Sequence, residues 1–155
     1  MKKIVINSQH GGFGLSPLGL KRWAELNGKE CYFFKNSPSE PYAPLTIEEA
    51  TEEKFFLRAF TVPNPNEVLP DQSNWYEMSL EERGASNAEY KKYSLCSRDI
   101  KRDDPTLVQV VKELKKKANG ACADLKVVSI PDDVQWIVLE YDGAEWVAEE
   151  HRTWH

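Results

Sequence analysis

Apolar residues recur along this chain in short bursts, and the spacing inside each burst predicts its element. Residues 2–7, "KKIVIN", form an uncharged β-branched run after Lys3 and predict a strand. Ser16 then suits a helix N-cap and Pro17 the first helical position, where a missing N–H costs nothing. Leu20, Trp23 and Ala24 share one face of that helix, and Asn27-Gly28 ends it. "KECYFFKN", 29–36, predicts the next strand. This strand–loop–helix–strand order allows a parallel pair with a right-handed crossover.

The middle of the chain is punctuated by proline. Residues 37–51 and 63–74 read as irregular segments around a strand-like "EKFFLRAFTV" at 53–62. Two capping boxes follow, "SLEE" at 79–82 and "SNAE" at 86–89, with Gly84 between them. They predict one helical turn and then a helix near 87–96. Aromatics are spread through the proline-rich stretch, so about 36–78 reads as an ordered, variable insertion rather than a linker.

From residue 104 the pattern is clearest. Asp104 and Pro105 open a helix over 105–119. Leu107, Val110, Val111, Leu114 and Ala118 make one continuous stripe on it. Lysines 112 and 115–117 lie off the stripe or near its end, where they suit the helix dipole. "LKVVSIP", 125–131, predicts a strand. "VQWIVLEY" and "EWVAEEH" flank Asp142-Gly143, a strong hairpin signal. The sum is an α+β or α/β chain in a single domain, residues 1–155. It would hold a mixed sheet of about five strands, two or three helices and a C-terminal β-hairpin.

Composition narrows the function classes. The 155 residues suffice for one core, and five Trp, six Tyr and six Phe argue against disorder. A net charge of −5 makes general nucleic-acid binding a poor fit, while leaving room for a local basic pocket. No apolar run reaches the ~18 residues of a membrane span, and "IVI" is too short for a signal peptide. Three scattered cysteines, Cys31, Cys96 and Cys122, fit neither zinc spacing nor a disulfide framework, so a cytoplasmic setting is expected.

Three stretches carry candidate chemistry. In "SQHGGFGLS", 8–16, a glycine-rich turn before a helix can aim backbone N–H groups at an anion. Gly11, Gly12 and Gly14 supply the turn, Phe13 a ring that could stack on a base, and Ser8, His10 and Ser16 polar contacts. The plainer alternative is a tight turn with Phe13 as a core plug. The pattern is neither a P-loop nor GxGxxG. In "SRDIKRDDP", 97–105, Arg102 could grip an anion through its planar fork, or the basic residues could simply pair with surface acids. In "EWVAEEHRTWH", His151 beside glutamates could act as a general acid or base, with Arg152 next to it. His151 and His155 are four apart, but an extended strand would not bring them to one metal, and no third ligand is apparent. No nucleophile elbow, HExxH or CxxC pattern occurs, and no cofactor is called for.

The opening "KKIVIN…GGFGLS" and the closing "RDDP…IPDDV…YDG…HRTW" segments together resemble a family of small bacteriophage and prophage proteins without an assigned activity. The resemblance covers about residues 2–26 and 102–154. Family members commonly carry Cys-Tyr before the glycines, where this chain has Gln9-His10. The resemblance implies a setting inside an infected bacterium and names no reaction.

If the glycine loop, Arg102 and the C-terminal hairpin fold together, they would form one pocket. Its residues would be Ser8, His10, Gly11, Gly12, Phe13, Gly14, Ser16, Arg102, His151 and Arg152. The expected ligand is a small anionic or nucleotide-like molecule, held without chemistry to counter host defence signalling. The alternatives are an enzyme using His151 on such a ligand, and a protein–protein inhibitor or interaction module. Bulk nucleic acid and membrane are not expected partners; a homo-oligomer is compatible with the pattern.

Overall fold

The computed structural model describes residues 1–154. The protein is of mixed α+β class, and its chain contacts divide it into two compact units. One unit joins residues 1–27 to 97–155, and the other is the intervening segment 28–96.

In the first unit, β1 (Lys2–Asn7) pairs antiparallel with β6 (Leu125–Ile130), Lys2 opposite Ile130 and Asn7 opposite Leu125. Residues 4–7 of β1 are all buried. Successive side chains of a strand point to opposite faces, so β1 is covered on both sides. Helix α5 (Pro105–Leu114) packs on β1 and β6, α1 (Pro17–Leu26) packs on α5, and β8 (Ala144–Glu149) lies beside β1. Leu107, Val108, Val110 and Val111 of α5 join Ile4, Val5, Leu20 and Ala24 in the core. The apolar stripe read from the sequence is thus the buried face.

Helix α5 stops earlier than the expected residue 119. Lys115 takes a positive φ of 52°, and a 3₁₀ turn covers Lys115–Ala118. The cause lies on α1. Its N-cap Ser16 accepts from Gly19 N (3.0 Å), while its hydroxyl donates to Lys117 O (2.5 Å) and its N–H to Ala118 O (2.9 Å). The chain after Leu114 bends to present those carbonyls to α1 instead of continuing the helix.

The C-terminal hairpin is present as expected. Strands β7 (Trp136–Tyr141) and β8 meet at Asp142-Gly143, whose φ values are 50° and 86°. Two successive positive φ angles define the turn that matches strand twist.

The second unit contains its own antiparallel sheet, ordered β3 (Ala43–Leu45), β2 (Tyr32–Lys35), β4 (Leu57–Phe60) and β5 (Ser94–Leu95). Phe33, Phe34, Ala50, Ala59 and Phe60 are buried in it. Here several sequence expectations change. Strand β2 pairs with β3 and β4, not in parallel with β1, and the eight strands among the described residues form three antiparallel sheets instead of one mixed sheet of about five.

The strand expected at 53–62 begins only at Leu57. Glu53 ends α2 (Ile47–Glu52), and its carboxylate accepts from the N–H groups of Phe55 and Phe56 (both 3.3 Å), which makes a turn. Helix α2 itself falls in a stretch read as irregular. Its Thr46–Glu49 capping box is a sequence signal of the same kind as those at 79 and 86. A short helix, α3 (Pro65–Val68), falls in the other proline-rich stretch.

Ser79 caps α4 (Leu80–Tyr93), which runs unbroken through Gly84. A helical glycine costs only ~1 kcal/mol, so it need not interrupt. Ser86 is therefore no cap. It is buried inside α4, and its hydroxyl accepts from Gln72 Nε2 (2.8 Å).

Candidate functional site

The glycine loop follows β1 and is tied down by Asn7, the last residue of that strand. Asn7 is fully buried. Its amide nitrogen donates to Gln9 O and Gly143 O (both 2.7 Å), and its Oδ1 accepts from Asp124 N (2.8 Å). Its backbone N–H donates to Glu145 Oε2 (2.8 Å). One side chain thus holds the start of the loop, the hairpin turn and the approach to β6.

The glycines answer to two different demands. Gly11 has φ 118°, and a Cβ there would lie 2.7 Å from Cys122 Cβ. Gly143 would place a Cβ against the backbone nitrogens of Gly11 and Gly12, and Gly11 N donates to Asp142 O (3.1 Å). Gly12 has φ 99° but open space for a Cβ, and Gly14 has no positive φ and likewise open space for a Cβ. Close backbone packing against the hairpin turn and Cys122 accounts for Gly11 and Gly143. A left-handed conformation alone accounts for Gly12.

Arg102 precedes α5, and its guanidinium meets Glu145 of β8 as a fork. Nη1 lies 2.8 Å from Oε2 and Nη2 lies 2.7 Å from Oε1. The side chains are 21% and 7% exposed. Its Cζ stands 3.4 Å above the centre of the Phe13 ring, which is itself buried. The guanidinium is thus shared between an acid and an aromatic face, both favourable for arginine.

The remaining expected site residues are distributed around this centre. Ser8 donates from its hydroxyl to Asp124 O (2.9 Å), and Ser16 is the α1 N-cap described above. His10 is exposed, 3.9 Å from the Asp142 carboxylate, and sets an edge toward Tyr141. His151 and Arg152 follow β8 as exposed residues, without an ion pair or hydrogen bond among the described residues. The loop, Arg102 and the hairpin therefore come together, and His151 and Arg152 do not join them. Among the described residues no group of three or more His, Cys, Asp or Glu is placed to hold a metal, and His155 lies outside those residues. No helix among them is long and apolar enough to cross a membrane.

Sequence reasoning missed Asn7, and it set Glu145 among the titratable groups around His151 instead of on Arg102. Asn7 ends an apolar run, which reads as a strand end rather than a buried hub. Glu145 carried a legible signal, because the hairpin register puts it on the same face as Val147 and Val138.

A second feature lies wholly inside the 28–96 unit. A pocket of about 650 Å³ opens between residues 36–42, residues 66–73 and Tyr90 of α4. Asn66 holds its rim, accepting from Tyr42 N (2.9 Å) and donating to Tyr42 O (3.0 Å). Tyr42 and Tyr90 each set a T-shaped contact on the buried Phe60 ring, at 5.0 and 5.6 Å. Burial pushes the Tyr42 phenol above its usual range, so it stays neutral. Asp71 accepts from the Ser73 N–H (2.9 Å) and hydroxyl (3.0 Å), which hold its carboxyl below the usual range.

Comparison with protein-family models, with curated proteins and with solved structures returned no match.

Proposed function

We propose that the protein binds a small molecule without transforming it, and that the pocket in residues 28–96 is its site. The observation that carries this reading is the pocket itself. About 650 Å³ is a small-molecule volume, and fixed aromatic walls with a few amides and hydroxyls are typical of such sites. The chemistry of the walls argues against turnover. Ser73 is paired with Asp71, whose lowered pKa makes it a weak base near neutral pH, and no histidine among the described residues lines the space.

The glycine loop is a weaker candidate for a nucleotide-like or phosphorylated ligand. Arg102 would have to leave Glu145 before its fork could take an anion. A role for His151 as an acid or base lacks a positioned partner. A setting inside an infected bacterium rests on the resemblance of the terminal segments alone.

Native mass spectrometry of purified protein tests the proposal, with any adduct then released by denaturation and identified. The expected result is an adduct returned chemically intact, and its loss in Ser73→Trp, which fills the pocket. An adduct retained by folded Ser73→Trp, but lost when Arg102→Ala opens the glycine-loop centre, would move the site to that loop.

A further inference from the structure

We infer that the pocket selects a ligand carrying a positive charge on an apolar or aromatic body, such as a protonated arylalkylamine. This deepens the binding reading above and rests on it. Among the described residues the lining includes two carboxylates, Glu40 and Asp71, and no lysine, arginine or histidine. An anion placed there would meet two like charges and no counter-charge. Arg58 acts electrostatically on Tyr42 but does not line the space.

The surroundings carry the same sign. Residues 28–96 hold 12 acidic and 7 basic side chains, so the whole −5 of the chain falls in this unit. A cleft in a field of one sign concentrates ligands of the other. The Asp71 carboxylate is fixed by Ser73 and stays ionised well below neutral pH, so the negative wall is permanent under ordinary conditions.

The apolar part of the ligand follows from the other walls. Tyr42 and Tyr90 are held by Phe60 and so present preset aromatic surface. An aromatic face also attracts a cation through its quadrupole. Prolines 38, 41 and 70 add rigid apolar surface at little entropic cost.

The test uses three probes of one shape: tyramine as the cation, 4-hydroxyphenylacetamide as the neutral form and 4-hydroxyphenylacetate as the anion. Each is titrated into isotopically labelled full-length protein and read by amide chemical shifts. The expected result is shifts at Tyr42, Ser73 and Tyr90 with tyramine binding about three- to tenfold tighter than the amide, and the anion weakest. Raising salt to ~0.5 M should narrow the gap, because screening shortens the reach of charge. The folded double variant Glu40→Gln, Asp71→Asn should bind amine and amide alike. If the anion or the amide binds at these residues as tightly as tyramine, the charge inference falls and the pocket reading stands. If none of the three shifts these residues in the folded wild type, the pocket reading falls and takes the charge inference with it.

Discussion

Arg102 and Glu145 form a two-bond ion pair, at 2.7 and 2.8 Å, that ties the entry of α5 to the inner face of β8. The Arg102 backbone carbonyl also accepts from Val5 N (2.8 Å), so the same residue anchors β1. Removing one partner strands the other charge, whereas replacing both removes that charge and leaves only the Asn7 N–H without its acceptor. Glu145→Ala should therefore cost about 3–5 kcal/mol in urea unfolding. The double variant Arg102→Met, Glu145→Leu should recover a large part of that loss. A single variant within 1 kcal/mol of wild type would show that the pair is no more than a surface contact.

Asn7 is expected to tolerate neither truncation nor a change of charge. Asn7→Ala leaves two carbonyls and two N–H groups without this partner and should cost roughly 2–4 kcal/mol. Asn7→Asp should cost more, because it turns an acceptor toward Gln9 O and Gly143 O. Denaturant midpoints for the two variants check the order. An Asp variant as stable as the Ala variant would contradict the assignment of the amide nitrogen.

The glycines should separate by cause. Gly143→Ala and Gly11→Ala meet both a positive φ and a collision and should be the most damaging. Gly12→Ala carries only the backbone term, ~1–2 kcal/mol. Gly14→Ala should stay within ~0.5 kcal/mol. Thermal melts of the four variants give the series, and a uniform response would remove the distinction.

Glu53 offers a pH test inside the second unit. The N–H groups of Phe55 and Phe56, and then Lys35, hold its carboxyl below the usual range. A depressed folded pKa contributes stability above the unfolded value, ~4.3, and loses it as pH falls through the folded one. The stability gap between wild type and Glu53→Gln should thus be present at pH 7 and close toward pH 3. A gap independent of pH would assign the effect to shape instead of charge.

The elements legible in the sequence are those specified by local chemistry. Ser16-Pro17 and Asp104-Pro105 start helices, and Asp142-Gly143 makes the hairpin, because caps and turns act within a few residues. What depended on distant partners was not legible. Helix α5 ends early because Ser16 takes the carbonyls of Lys117 and Ala118, a contact no window around residue 115 contains. Strand β1 could have paired with β2 by pattern alone, and only the assembled core selects β6. At the site, the positions of Gly11, Phe13 and Arg102 near one another were foreseeable, whereas Asn7 looked like an ordinary strand end and the pairing of Glu145 with Arg102 joins residues 43 apart.

The pairing of β1 with β6 sets an order of events during synthesis. The first strand leaves the ribosome with Ile4, Val5 and Ile6 uncovered, and its partner is made only after well over half the chain has followed. At ~5–20 residues per second that is a wait of several seconds or more. Residues 28–96 can meanwhile close their own antiparallel sheet, since β2 to β5 all lie within that span. Ile4, Val5 and Ile6 thus stay uncovered until β6 is made, and the translation of that strand is what allows β1 to be buried.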